Sequence, residues 1–192
     1  MKDEKVTAYA TLLLALGTNA LAVFSRIQID DFREQGKRQL RPYVFLAEQN
    51  GQIENPPIIT KIMNFTEGQV IDAHIQITNF GQTPAYDFRV NGTVDVLAKP
   101  LPIDVSLITT DTEAPSTLAP HASIFNTVLS KKAVTPDDRK SVREGSRAIY
   151  VYGRIPYIDI WGIFHYTDFC MWYGTDPNFP TSCDRHNDSD RN

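Results

Sequence analysis

The side chains best suited to chemistry crowd into the last third of the chain. Cys170, Cys183, His165 and His186 all fall within 165–186. Thiolate and imidazole are groups that hold zinc, so these four define a candidate metal site. Their spacing argues against it, because no CxxC knuckle is present. Two other states are open to the cysteines. Paired, Cys170 and Cys183 would staple the segment across Gly174, Pro177 and Pro180 and add about 3 kcal/mol by loop closure. Unpaired, they would be two free thiols. Asp159, His165 and Asp168 form a second grouping, of the types used for general acid–base work. Yet Asp159 suits a turn and His165 suits a strand. No GxSxG, HExxH, P-loop or GxGxxG accompanies them. The sequence therefore predicts no catalytic residue, no metal and no cofactor, and a metal-dependent enzyme is the weakest of its functional readings.

Aromatic residues are the next resource. Nine of the twenty in the chain lie between Ile149 and Gly174. The ordinary role of such a cluster is cross-strand pairing and core filling. If one face of the hairpin is core, Tyr157, Trp161 and Tyr173 belong to the other face. They would then form an exposed patch able to stack on a small ligand or a glycan.

The elements that position these residues follow from periodicity. Ala148–Ile158 and Ile163–Tyr173 flank the turn Asp159-Ile160-Trp161-Gly162, which predicts a long hairpin. Ile71, Ala73, Ile75 and Ile77 alternate with Asp72, His74, Gln76 and Thr78, so that strand has one buried and one wet face. Tyr86, Phe88, Val90, Val94 and Val96 repeat the pattern, with Gly92 marking a bulge. Shorter strands are expected at Tyr43–Glu48, Ile58–Phe65, Val105–Ile108 and Ser123–Ser130. The turns Asn50-Gly51 and Glu67-Gly68 and the break Pro56-Pro57 separate some of them. Thr135-Pro136-Asp137-Asp138 starts a short helix that ends near Glu144-Gly145. The polar end, 184–192, is expected to fray.

Between two strands stands Asn79-Phe80-Gly81-Gln82-Thr83-Pro84-Ala85. Asn79 can bond the turn backbone, Gly81 can take positive φ, and Pro84 sets the re-entry. This turn resembles those of immunoglobulin-like sandwiches in bacterial surface and membrane proteins. The whole plan, with Gln39-Leu40-Arg41-Pro42-Tyr43-Val44 and the late aromatic hairpin with cysteines, is similar to a loose group of uncharacterised bacterial membrane-anchored proteins. The resemblance implies a fold and no activity. The expected fold is mainly β, an antiparallel two-sheet immunoglobulin-like sandwich over 42–183 behind a long N-terminal helix.

That helix carries the remaining expectations. Val6–Ser25 is uncharged and long enough for a membrane span, so 1–25 is expected to be transmembrane and 26–41 a helical stalk closed by Pro42. Ala20-Leu21-Ala22 offers a signal-peptide cleavage site, but Asp3 and Glu4 in the leader count against it. Five Lys/Arg after the span favour a cytoplasmic β domain, whereas a disulfide favours an oxidising side. Residues 42–192 carry twelve Lys/Arg and eighteen Asp/Glu, a balance that excludes nucleic acid as a partner. The function expected is a membrane-tethered interaction module for a protein partner, with ligand or glycan binding through 149–174 as the alternative.

Overall fold

The computed structural model describes residues 2–46, 60–107, 114–175 and 180–190. It divides into two units, Met1–Leu40 and Arg41–Asn192. The expected turns at Asn50-Gly51 and Pro56-Pro57 lie outside the described residues.

The first unit is a single helix, α1 (Lys2–Gln39), without a break at residue 25. Glu34 and Lys37 pair across one turn at 2.8 Å, and Leu40 N–H closes the helix on the Gly36 carbonyl at 3.0 Å. Among the described residues no helix is long and apolar enough to cross a membrane. This corrects the transmembrane span and the single-pass membrane localisation. Polar dilution is the physical reason. Gly17, Thr18 and Asn19 interrupt the apolar run, and charge begins at Arg26.

The second unit is mainly β, and strand outweighs helix in the chain, 45% to 22%. At its centre stands β3 (Val70–Asn79), whose Ile71, Ala73, Ile75 and Ile77 are buried in strict alternation. On one edge it pairs with β1 (Val44–Leu46) and β2 (Thr60–Asn64), and on the other with β7 (Ser123–Ala133). β4 (Ala85–Phe88) and β5 (Asn91–Ala98) lie in succession along one edge of β8 (Arg147–Ile158). They are the single strand expected from Tyr86 to Val96, kinked at Arg89. No bulge occurs at Gly92, which sits opposite Gly153 so that the Phe169 ring can pack over both. β6 (Ser116–Leu118) pairs with β4, and β9 (Phe164–Tyr173) with the far edge of β8. Val105–Leu107, expected to begin an edge strand, has no strand structure.

A parallel pairing joins the two halves, β5 meeting β7 at Val94 and Ser130. The result is one mixed sheet curled into a half-barrel, and this corrects the antiparallel two-sheet immunoglobulin-like sandwich. Alternation along each strand fixes which side is apolar. It leaves open whether two apolar faces belong to two sheets or to one sheet bent on itself. Helix α2 (Pro136–Arg143) starts at a full capping box, Thr135 and Asp138 bonding each other's backbone N–H, and ends at Gly145 with φ +76°.

The Asn79 turn ties the first strand into the sheet. Its fully buried carboxamide accepts from Tyr43 N–H at 3.2 Å and Gly81 N–H at 2.9 Å. It donates to the carbonyls of Thr83 at 2.8 Å and Leu118 at 3.2 Å. Gly81 is not at positive φ. Its need is space, because a Cβ would collide with the Arg41 carbonyl and Pro42 Cα. Gly81→Ala is therefore expected to cost about 1–3 kcal/mol by overpacking. Urea unfolding measures it, and a loss below about 0.5 kcal/mol would show that the strand entry gives way freely.

Candidate functional site

The curl brings β9 alongside β1. The Thr167 hydroxyl donates to the Val44 carbonyl at 2.6 Å across the seam. Beside that bond the seam opens into a cleft of about 540 Å³. Phe45, Phe80 and Met171 give it an apolar wall, and Asn187, Asp188 and Ser189 give it a polar one.

The polar wall is the end of the chain, which was expected to fray. Instead, 180–190 runs as a strap along the outer edge of β9. β10 (Thr181–Ser182) pairs with Trp172 and Met171. Cys183 is disulfide-bonded to Cys170, with Cα atoms 5.4 Å apart, and its N–H donates to the Cys170 carbonyl at 3.1 Å. Asn187 then uses its side chain as a peptide group. Its Oδ1 accepts from Cys170 N–H at 2.8 Å, and its Nδ2 donates to the carbonyls of Cys170 at 3.0 Å and Cys183 at 2.9 Å. Asp168 N–H donates to the Asp188 carbonyl at 2.7 Å.

The strap ends in a buried ionic cluster. Asp190 Oδ2 meets His165 Nδ1 at 2.6 Å, and Asp190 Oδ1 accepts from Arg41 Nη2 at 3.0 Å. His165 Nε2 meets Asp159 Oδ2 at 3.0 Å. Each ring nitrogen thus faces one carboxylate oxygen. Asp159 Oδ1 also accepts from the N–H groups of Trp161 and Ile163, which fixes the hairpin turn. The Tyr157 ring packs 5.5 Å from His165, and burial pushes its phenol up.

Several sequence groupings come apart in the fold. Asp159 and His165 do meet, but Asp168 forms a bidentate pair with Arg154 at 2.6 and 2.8 Å. The four zinc-type residues do not converge. His165 is occupied by carboxylates and the cysteines by each other. Among the described residues no group of three such side chains is arranged to hold a metal ion. The aromatic patch is corrected too. Tyr157 and Tyr173 are 1% and 0% exposed, inside the half-barrel, while Trp161 is 39% exposed at the hairpin tip. Tyr150 and Tyr152 point the other way, yet they too are buried, in a second cluster with Leu101, Cys170 and Cys183. Sequence reasoning missed Arg41, Asn187 and Asp190. Their polarity and terminal position gave no signal, because only tertiary pairing sets them apart.

No family model matches the chain, and none of the curated proteins or solved structures compared with it does either.

The cluster makes stability depend on pH in a definite direction. Burial pushes the Asp159 carboxyl up, but bonds from His165 and from the Ile163 and Trp161 N–H groups outweigh it, and the net direction is down. A carboxyl held below its unfolded value adds stability above about pH 4 and loses it as pH falls through the folded value. Asp159→Asn should melt below the wild-type chain at about pH 7, and the gap should close toward about pH 3. A gap that stays constant across that range in thermal melts would remove the charge from the explanation.

Proposed function

We propose that the β unit is a non-catalytic interaction module that takes an extended peptide segment of a partner protein in the seam cleft. The cleft itself carries this reading. Its volume of about 540 Å³ falls in the range of ligand pockets, and its facing walls are unlike in polarity. One wall suits alternating apolar side chains, and the other offers polar groups to a backbone. The acidic balance of residues 42–192 favours basic residues on the exposed side of such a peptide.

Two other readings lose their supports. The acid–base reading rested on His165, whose two nitrogens are both engaged and which is 2% exposed. A glycan platform would have to use Tyr157 and Tyr173, which are core.

The test is titration of the isotopically labelled full chain with acetylated heptapeptides that alternate Val or Leu with Lys. Resonances of Phe45, Phe80 and Met171 should shift. Phe80 is 53% exposed, so Phe80→Ala should weaken binding about fivefold without lowering the melting temperature. Shifts confined to residues away from the cleft, or none at all, would refute the reading.

A further inference from the structure

We infer that the outer edge of β9 is itself a strand-docking site, held shut by the chain's own strap, and that the Cys170–Cys183 disulfide is the lock. The opened site takes an extended strand of a partner chain. This rests on reading the unit as a peptide-binding module, and it adds the state in which the larger site becomes available.

The strap covers β9 as an added strand would, but it does so imperfectly. A regular strand offers backbone groups at each outward residue of its neighbour. Here Cys170 N–H is met by the Asn187 side-chain oxygen, because the strap bulges between Cys183 and Asn187. Tyr166 N–H is met by the Asp190 side chain, at 3.3 Å. Main-chain pairing survives at Cys183 to Cys170, Asp168 to Asp188 and Asp190 to Tyr166. An incoming continuous strand would replace the side-chain stand-ins with main-chain bonds and lose nothing in number. What it would have to displace is tethered at two points, one covalent and one ionic. The covalent point sits beside the bulge. The ionic point, at Asp190, lies further along the strap, against His165 and Arg41.

Only the covalent tether is chemically switchable without unfolding the core. Cys170 is fully buried and Cys183 is 9% exposed, so an external thiolate reaches the Cys183 sulfur first. The reductant is a dithiol. Its first thiolate attacks Sγ of Cys183 and expels the Cys170 thiolate, giving a mixed disulfide. Its second thiol then attacks the sulfur of the reductant in that bond and releases Cys183. The dithiol leaves oxidised to its disulfide, and its two protons end on the cysteines. With Asp190 still clasped, the stretch 181–188 is free to swing from β9. That opens the edge from Asp168 to Trp172 and widens the seam cleft, whose polar wall the strap supplies.

Hydrogen exchange on the full chain, oxidised and then treated with dithiothreitol, reads the opening directly. Amides of Asp168 and Cys170 should exchange at least about tenfold faster after reduction, while those of Tyr166, Ala73 and Ile75 stay as protected as before. A fluorescent peptide of the sequence 181–190, carrying Cys183→Ser, should then raise its anisotropy on the reduced chain and not on the oxidised one. Unchanged exchange at Asp168 and Cys170 would overturn the inference. So would loss of protection throughout β3, which would make the disulfide a support of the whole unit. Equal peptide binding in both states, or in neither, would also overturn it. The heptapeptide titration of the oxidised chain is independent of these results, so either proposal can fail alone.

Discussion

An open sheet that curls turns its two edges toward each other, and the backbone groups along both need partners. Every other residue on an edge strand points a donor and an acceptor outward, and leaving them buried and unpaired costs more than a made bond returns. A full barrel solves this by joining first strand to last. Here the described part of β1 is three residues long against ten in β9, and its ladder is made with β3. One hydroxyl bond, Thr167 to Val44, crosses where the two strands do meet. The strap supplies the rest. That single need explains why the strap lies along β9, why an asparagine stands in for a peptide unit, and why Asp190 has two buried partners.

The same geometry decides the fate of the aromatic hairpin. β8 is buried along most of its length, Ile149, Val151, Ile155 and Tyr157 inside the half-barrel and Ala148, Tyr150 and Tyr152 outside it. The outer face is wet in an ordinary antiparallel sheet. Here the segment around Leu101 and the disulfide-held strap lie over it, so a strand with aromatics on both faces has apolar cover on both. Tyr152 keeps its hydroxyl satisfied by donating to Asp95 at 2.7 Å, as a buried phenol must. The tip beyond Ile158 runs past both layers, and there Ile160, Trp161, Ile163 and Phe164 remain exposed.

Local chemistry was legible in the sequence where it acts over a few residues. The helix start at Thr135, the alternation in β3, the hairpin about Asp159 and the bonds of Asn79 to Gly81 and Thr83 all depend on neighbours in the chain. What could not be read depends on distant pairing. Parity placed Tyr157 and Tyr173 opposite the core, because it assumes one wet face. The sandwich was favoured because a sequence of short strands does not say whether the sheet splits or bends. Asp190 meets Arg41 across 149 positions, and nothing in a polar tail announces such a partner. The uncharged stretch 6–25 invited a membrane span by counting residues.

The cluster that looks most like an active site has both of its ring nitrogens engaged by carboxylates. Asp159, His165 and Asp190 have the residue types of a proton relay, but a general base needs a lone pair within reach of a substrate. His165 spends both nitrogens on carboxylates, and each carboxylate is tied again, one to the hairpin backbone and the other to Arg41. Removing any member leaves a buried charge unpaired, so the group behaves as one structural unit. It fixes the hairpin tip, the chain entry at Arg41 and the chain end at one point. A seam anchored there cannot open from that end. Any adaptable part of the edge is displaced toward the disulfide, where the strap bulges and where the cleft lies.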